Sequence, residues 1–375
     1  MRTPGGRTWQ EALEEKNEIM TTPSSSRRRS LRIALLARAL YRARALAWLV
    51  LSGLFANATP AAEARELNVL FIGNSFTARH ELTQVIKTLA EEGQPGLRFN
   101  VTTVIYGGRT LAHHWELQTP NFIRQARSAC RKCRRRLRCS KRSWRSDGRR
   151  KKKPAPRVRS GGNTLQHVSG AVRNQEKLAA TLAEPRRKWD IVVLQSYLDD
   201  LDASGRSPFF EFAPKFAAMA QVEGARVILY ETTSATQHAK PLTAPPDPAP
   251  ALAKAGAIAA LAKRIGAEVV PMSLVALRCQ QVRPDVTLRF VNDAHLNQTM
   301  AYLTACTFYA TLFNRSPEGL RFGTVTDNRF DDQRKDRDRD GGALTRIFSD
   351  NDRDELQRIA WQGLGQFRQL APPAR

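Results

Sequence analysis

The chain has little cysteine, little acid and no internal repeat, and each shortage excludes something. Five cysteines in 375 residues, an odd number without regular spacing, do not make a disulfide framework. Cys130, Cys133 and Cys139 fall in one basic run, while Cys279 and Cys306 sit in apolar helical patterns as small hydrophobes. A Cys279–Cys306 bridge in an oxidising compartment is the one pairing this leaves open. Acid is scarce, with 35 Asp and Glu against 60 Lys and Arg, for a net charge of +25. An excess of that size normally points to a polyanion partner. Its distribution says otherwise. Residues 1–65 hold 11 Lys/Arg against 5 acids, and residues 127–159 hold 17 against the single acid Asp147. The rest of the chain is close to neutral, so the basic balance describes two segments and not an active-site field.

The N-terminus has the three-part form of an export signal. SRRRSLR (26–32) is a basic leader with the Ser26-Arg27-Arg28 pattern of a twin-arginine signal, although Ser30 stands where such signals carry Phe. LAWLVLSGLF (46–55) is an apolar run too short to span a bilayer, and small-residue sites follow at Ala56-Asn57-Ala58 and Ala62-Glu63-Ala64. Residues 1–64 are therefore expected to direct export to the periplasm or beyond, with a membrane attachment only if the signal stays uncleaved. Residues 127–162 have almost no apolar side chains and cannot offset the entropy of ordering, so a disordered basic insertion is expected there. Zinc on its three cysteines would need a fourth ligand, and none is evident nearby. A nucleic acid is not expected as partner of an exported protein.

From residue 67 onward, short apolar runs alternate with amphipathic stretches. LNVLFI (67–72), FNVTTVIY (99–106), DIVVLQ (190–195), ARVILY (225–230) and AEVVPM (267–272) read as five buried strands. Helical spacing covers 82–92, 111–118, 175–184, about 208–222, about 250–265, 300–313 and 354–367. This order predicts an α/β fold, a three-layer α/β/α sandwich on a five-stranded parallel sheet, over residues 65–325. Residues 326–375 are expected to add a charged, solvated loop at 329–342 and a last helix. In such sheets ligands bind at the carboxyl ends of the strands, so the residues just past each strand matter most.

Two constellations lie there. In FIGNSFT (71–77) Ser75 follows the first strand, Gly73 permits a sharp turn, and a helix start offers backbone N–H groups beside the hydroxyl. The plainer alternative is a serine that only caps a helix. In VNDAHLN (291–297) His295 can serve as a general base, with Asp293 or Asn292 to orient its ring. His113-His114-Trp115 reads as a helix face for packing or rim contacts rather than metal.

On these motifs the chain resembles the SGNH/GDSL hydrolase superfamily, in particular bacterial members with a GNSFT-type first block. The resemblance runs from about 67 to 320, omitting 127–170. It implies a flavodoxin-like SGNH fold and ester hydrolysis through an acyl-enzyme, with no metal or cofactor. Ser75 matches the nucleophile, Gly108 of YGGRT the oxyanion glycine and His295 the base. Two positions depart from the family pattern. The third block ends VVLQSYLDD, so Gln195 is the nearest amide for the oxyanion hole. The residue three before His295 is Asn292, and Asp293 is two before. The expectation is an exported serine esterase acting on a small-molecule or carbohydrate ester. Its alternative is a catalytically impaired ligand-binding relative. The oligomeric state has no signature in the sequence.

Overall fold

A strand buried on both faces cannot alternate apolar with polar residues, and the first strand does not. In β1 (Arg65–Gly73) Val69, Leu70, Phe71 and Ile72 are all buried. The structure, a computed structural model, describes residues 65–124, 188–198, 200–201, 206–232, 234–329 and 334–370. The expected export signal, the basic insertion with Cys130, Cys133 and Cys139, and the expected helix at 175–184 lie outside the described residues.

After β1 come α1 (Ser75–Ala78), α2 (Leu82–Gly93), β2 (Leu97–Ile105), α3 (Leu111–Glu116) and α4 (Pro120–Arg124). Then follow β3 (Ile191–Gln195), α5 (Pro208–Val222), β4 (Arg226–Tyr230), α6 (Ala249–Ile265) and β5 (Glu268–Val270). The chain ends in α7 (Met272–Val282), α8 (Gln298–Phe313), β6 (Thr324–Thr326), β7 (Thr345–Ile347) and α9 (Asp350–Leu370). The five main strands are all parallel, in the order β2-β1-β3-β4-β5. Successive side chains of a strand point to opposite faces. Accordingly Val69 and Phe71 join one apolar core with α2 and α8, while Leu70 and Ile72 join a second with α5 and α6. The protein is thus α/β, a five-stranded parallel sheet with helices over both faces.

Helix α8 has no polar face because it has no solvent face. Its residues from Gln298 to Leu312 are all buried. Phe308 packs against Phe71 and Tyr230 with ring centroids 5.8 and 5.1 Å apart. Two of its threonine hydroxyls are satisfied within the helix, Thr304 donating to Met300 O and Thr307 to Leu303 O, while Thr311 donates to Val269 O on β5.

Three departures from the sequence reading have local causes. The fifth strand stops at Val270 and not at 272, because Pro271 has no N–H for a ladder and instead begins α7. β6 and β7 form a small antiparallel pair too short to register as a pattern. In the stretch 329–342 the residues from 334 onward are not simply solvated. Asp338 is buried, its carboxylate accepting from the Asp340 and Gly342 N–H groups and from Gln298 Nε2, and it shapes a turn between β6 and β7. Cys279 and Cys306 are free buried thiols, each pushed up to about 12 by burial, and no bridge joins them. No helix among the described residues is long and apolar enough to cross a membrane.

The strand order places a switch point between β1 and β3, where the chains leaving the two strands run in opposite directions. Both GNSFT and Gln195 emerge at that crevice.

Helices α7 and α9 meet at Gly363, where an added Cβ would lie 2.8 Å from Val275 Cα. Backbone cannot yield as a flexible side-chain end can. Gly363→Ala is expected to lower unfolding stability by about 1–3 kcal/mol in urea titration; an unchanged midpoint would disprove the close approach.

Candidate active site

The turn after β1 is built from buried amides. Asn74 caps α1: its Oδ1 accepts from Phe76 N–H at 3.1 Å and from Gln195 Nε2 at 2.7 Å. Its Nδ2 donates to Arg109 O at 3.0 Å, which ties the turn to the loop after β2. Gln195 Oε1 accepts from Asn74 N–H at 3.0 Å and from Thr77 Oγ1 at 2.5 Å. Gly73 makes the room, since a Cβ there would sit 2.4 Å from Gln195 Oε1.

These contacts correct the expected role of Gln195. Its two amide hydrogens are spent on Asn74 Oδ1 and Ser196 O. A donor so committed braces the serine turn from below and is not free to receive a developing oxyanion.

Ser75 Oγ lies 2.7 Å from His295 Nε2, and the other ring nitrogen, Nδ1, is hydrogen-bonded to Asp293 Oδ1. The same Oδ1 accepts the His295 backbone N–H at 3.1 Å, so the carboxylate closes a tight local turn. Spacing two suffices because Asp293 serves as both turn cap and ring partner. Asn292, three residues before His295, is exposed. Phe76 stacks on the imidazole with centroids 4.8 Å apart and fixes its plane. The second carboxylate oxygen of Asp293 faces Arg79 Nη1 at 3.2 Å and Arg339 Nε at 3.5 Å.

Gly108 sits in the neighbouring loop at φ +64, a left-handed conformation that suits glycine, with open space around its Cα. That loop is anchored by Tyr106 N–H donating to Gly73 O at 3.1 Å. His114, the middle of the expected helix face, is fully buried and donates from Nε2 to the same Gly73 O at 2.9 Å. Its Nδ1 accepts from Thr119 Oγ1 at 3.1 Å. His113 closes a capping box with Thr110, and Trp115 packs edge-on against Phe216. Among the described residues no cluster of His, Cys, Asp or Glu could hold a metal ion.

The titrating groups follow from burial and charge. Burial lowers the His295 pKa below its ordinary value; Asp293 opposes this, and Arg79 and Arg329 lower it further. Asp293 lies at about 2: burial alone would raise it, but hydrogen bonds from His295 and the charges of His295 and Arg79 outweigh burial. The ring is therefore neutral at pH 7 and able to take a proton from Ser75.

Sequence reasoning missed Asn74, Arg79 and Asp327, and gave His114 only packing or rim contacts. Only Asn74 had a local signal, an Asn directly before a short helix. The others act through partners 41 to 248 residues away. A cleft of about 280 Å³ lined by Leu242, Pro245, Pro246, Gln280 and Pro284, among others, contains none of these residues. No protein-family model, curated protein or solved structure matches the chain.

Burial holds the folded-state pKa of His114 down to about 3 and lowers that of His80. The unfolded chain binds these protons from about pH 6.5 downward, whereas the folded protein resists them. Stability is fully present above pH 6.5 and is lost as pH falls toward 3, by at most about 1.4 kcal/mol per pH unit for His114. Urea titrations at pH 6.5 and 4.5 should show this loss, and His114→Gln, which does not titrate, should reduce it. An equal loss in both proteins would reject the assignment.

Proposed function

We propose that the protein is an exported serine esterase of the SGNH type, hydrolysing an acyl or acetyl ester of a small molecule or carbohydrate. The observation that carries this reading is the hydrogen-bonded chain Ser75–His295–Asp293 at the switch point of a parallel sheet. Export rests on the leader at 26–64.

In this mechanism His295 Nε2 takes the Ser75 proton as Oγ attacks the ester carbonyl. Asp293 stabilises the imidazolium that forms. The tetrahedral oxyanion is met by backbone donors: the N–H of Ser75, which a helix start leaves without an intrahelical partner, and that of Gly108. The imidazolium then gives its proton to the leaving alcohol. Water, activated by the same ring, releases the acid and restores Ser75. Neither a metal nor a cofactor has a part in these steps.

The bound amide of Gln195 favours a second reading. An oxyanion hole lacking one side-chain donor loses on the order of 10²–10³ in rate. The protein would then be a ligand-binding relative with little turnover. That reading requires no measurable hydrolysis of any short-chain aryl ester.

A fluorophosphonate probe should label the wild type at Ser75 and leave Ser75→Ala unlabelled; equal labelling of both defeats the esterase reading. Asp293→Asn should lower kcat by on the order of 10²–10⁴, whereas Asn292→Ala should change it little. The acid limb of kcat/KM should fall below the ordinary histidine value, since the rate requires neutral His295 and its pKa is lowered. A limb above that value contradicts the assignment of the base.

A further inference from the structure

We propose that Arg79 is a positioning residue for this site: held by Asp327, its buried guanidinium grips the outer oxygen of Asp293 and fixes how that carboxylate meets the His295 ring. The inference rests on the esterase reading of Ser75, His295 and Asp293.

The guanidinium is 4% exposed, and a cation so placed must be paired to be tolerated. Its Nε and Nη2 fork onto Asp327 Oδ1 and Oδ2 at 3.2 and 2.9 Å. That fork alone would balance its charge. The remaining Nη1 is nevertheless turned onto Asp293 Oδ2 at 3.2 Å. Phe290 lies against the cation, 5.2 Å from ring centroid to Cζ, and closes the other side.

The backbone goes out of its way to put Arg79 there. The next two residues, His80 at φ 58 and Glu81 at φ 49, are consecutive non-glycine residues in the left-handed region. Side chains with a Cβ adopt that region only at a steric cost. The reversal lets the serine segment hold the base loop at three points. Ser75 meets His295, Arg79 meets Asp293, and His80 Nε2 donates to Leu296 O at 2.8 Å.

Other charged groups also face the pair. Arg339 approaches Asp293 Oδ2 from the turn between β6 and β7, but it is part-exposed and beyond good hydrogen-bond length. Asp340 in the same turn accepts Val291 N–H. From the segment after β6, exposed Arg329 acts on His295 and Asp327 lies near His80. Only Arg79 is both buried and rooted in the serine segment. Shared with this cation, Asp293 lends less of its charge to the imidazolium, so the base stays neutral further into acid.

The test combines NMR titration of the six histidines with hydrolysis of p-nitrophenyl acetate, with His295 assigned by its loss in His295→Asn. Arg79→Gln should move the His295 midpoint upward and lower kcat on the order of 10–100-fold with little change in KM. Arg79→Lys should restore part of both, since it keeps the charge without the fork. The pair Arg79→Gln/Asp327→Asn removes the cation with its main partner and avoids stranding Asp327; it should behave as Arg79→Gln does. A folded Arg79→Gln with the wild-type midpoint and kcat overturns the proposal and leaves the esterase reading standing. If the wild type itself shows neither labelling nor hydrolysis, the esterase reading fails, and the titration still decides what Arg79 does to His295. If neither the single nor the double variant folds, Arg79 holds the fold and not the site, and the proposal is wrong.

Discussion

One buried amide pair underlies the geometry at the carboxyl edge of the sheet. Asn74 and Gln195 satisfy each other in both directions, through Asn74 N–H to Gln195 Oε1 and Gln195 Nε2 to Asn74 Oδ1. Each side chain is almost fully buried, and an unmade hydrogen bond at such a place costs about 1–3 kcal/mol. The pair exists because β1 and β3 align Ile72 with Leu194, which brings Gln195 beside Gly73. A one-residue slip would send Gln195 to the opposite face and leave the turn without support. Register therefore sets the position of Ser75 before any contact of Ser75 itself.

From that fixed turn the rest of the site follows outward. Asn74 Nδ2 holds the loop bearing Gly108 through Arg109 O, and His114 holds Gly73 O from behind. Phe76, the next residue after Ser75, supplies the surface on which the His295 ring lies. The base loop is thus seated against the serine segment by an aromatic face and by hydrogen bonds, and α8 behind it is buried throughout and rigidly packed. The imidazole is thus oriented from two sides, by Phe76 on the serine segment and by Asp293 in the loop's own turn.

The net charge of +25 does not set the site's electrostatics. What matters is a row of alternating charges at low exposure, Asp293, Arg79 and Asp327, set against the neutral His295 ring. In such surroundings a single charge acts more strongly than in water, and its effect on a neighbour's pKa is correspondingly larger. Glu231 illustrates the same physics outside the site. Fully buried at the end of β4, with one oxygen on the Ser273 N–H and hydroxyl, it is raised to about 7 by burial.

The five strands, the described helices beside them, and Ser75, Asp293 and His295 as candidates could be read in the sequence, because each left a local mark. The strands are runs of β-branched and aliphatic residues, and the serine and histidine sit where a strand ends or a helix begins. The small β6–β7 pair, the role of Gln195 and the contribution of Arg79 could not be read. Gln195 looked like a free amide because a sequence does not reveal that both its hydrogens are spent on groups at 74 and 196. The choice between Asn292 and Asp293 was likewise undecidable from spacing, since it turns on a backbone turn that puts one carboxylate against ring and N–H together. The sequence by itself determined the order and kind of elements, through periodicity and burial over a few residues. Only the tertiary structure decided which polar side chains are free and which are committed, because hydrogen-bond partners such as Arg79 and Asp327 meet across 248 residues through packing that no local pattern encodes.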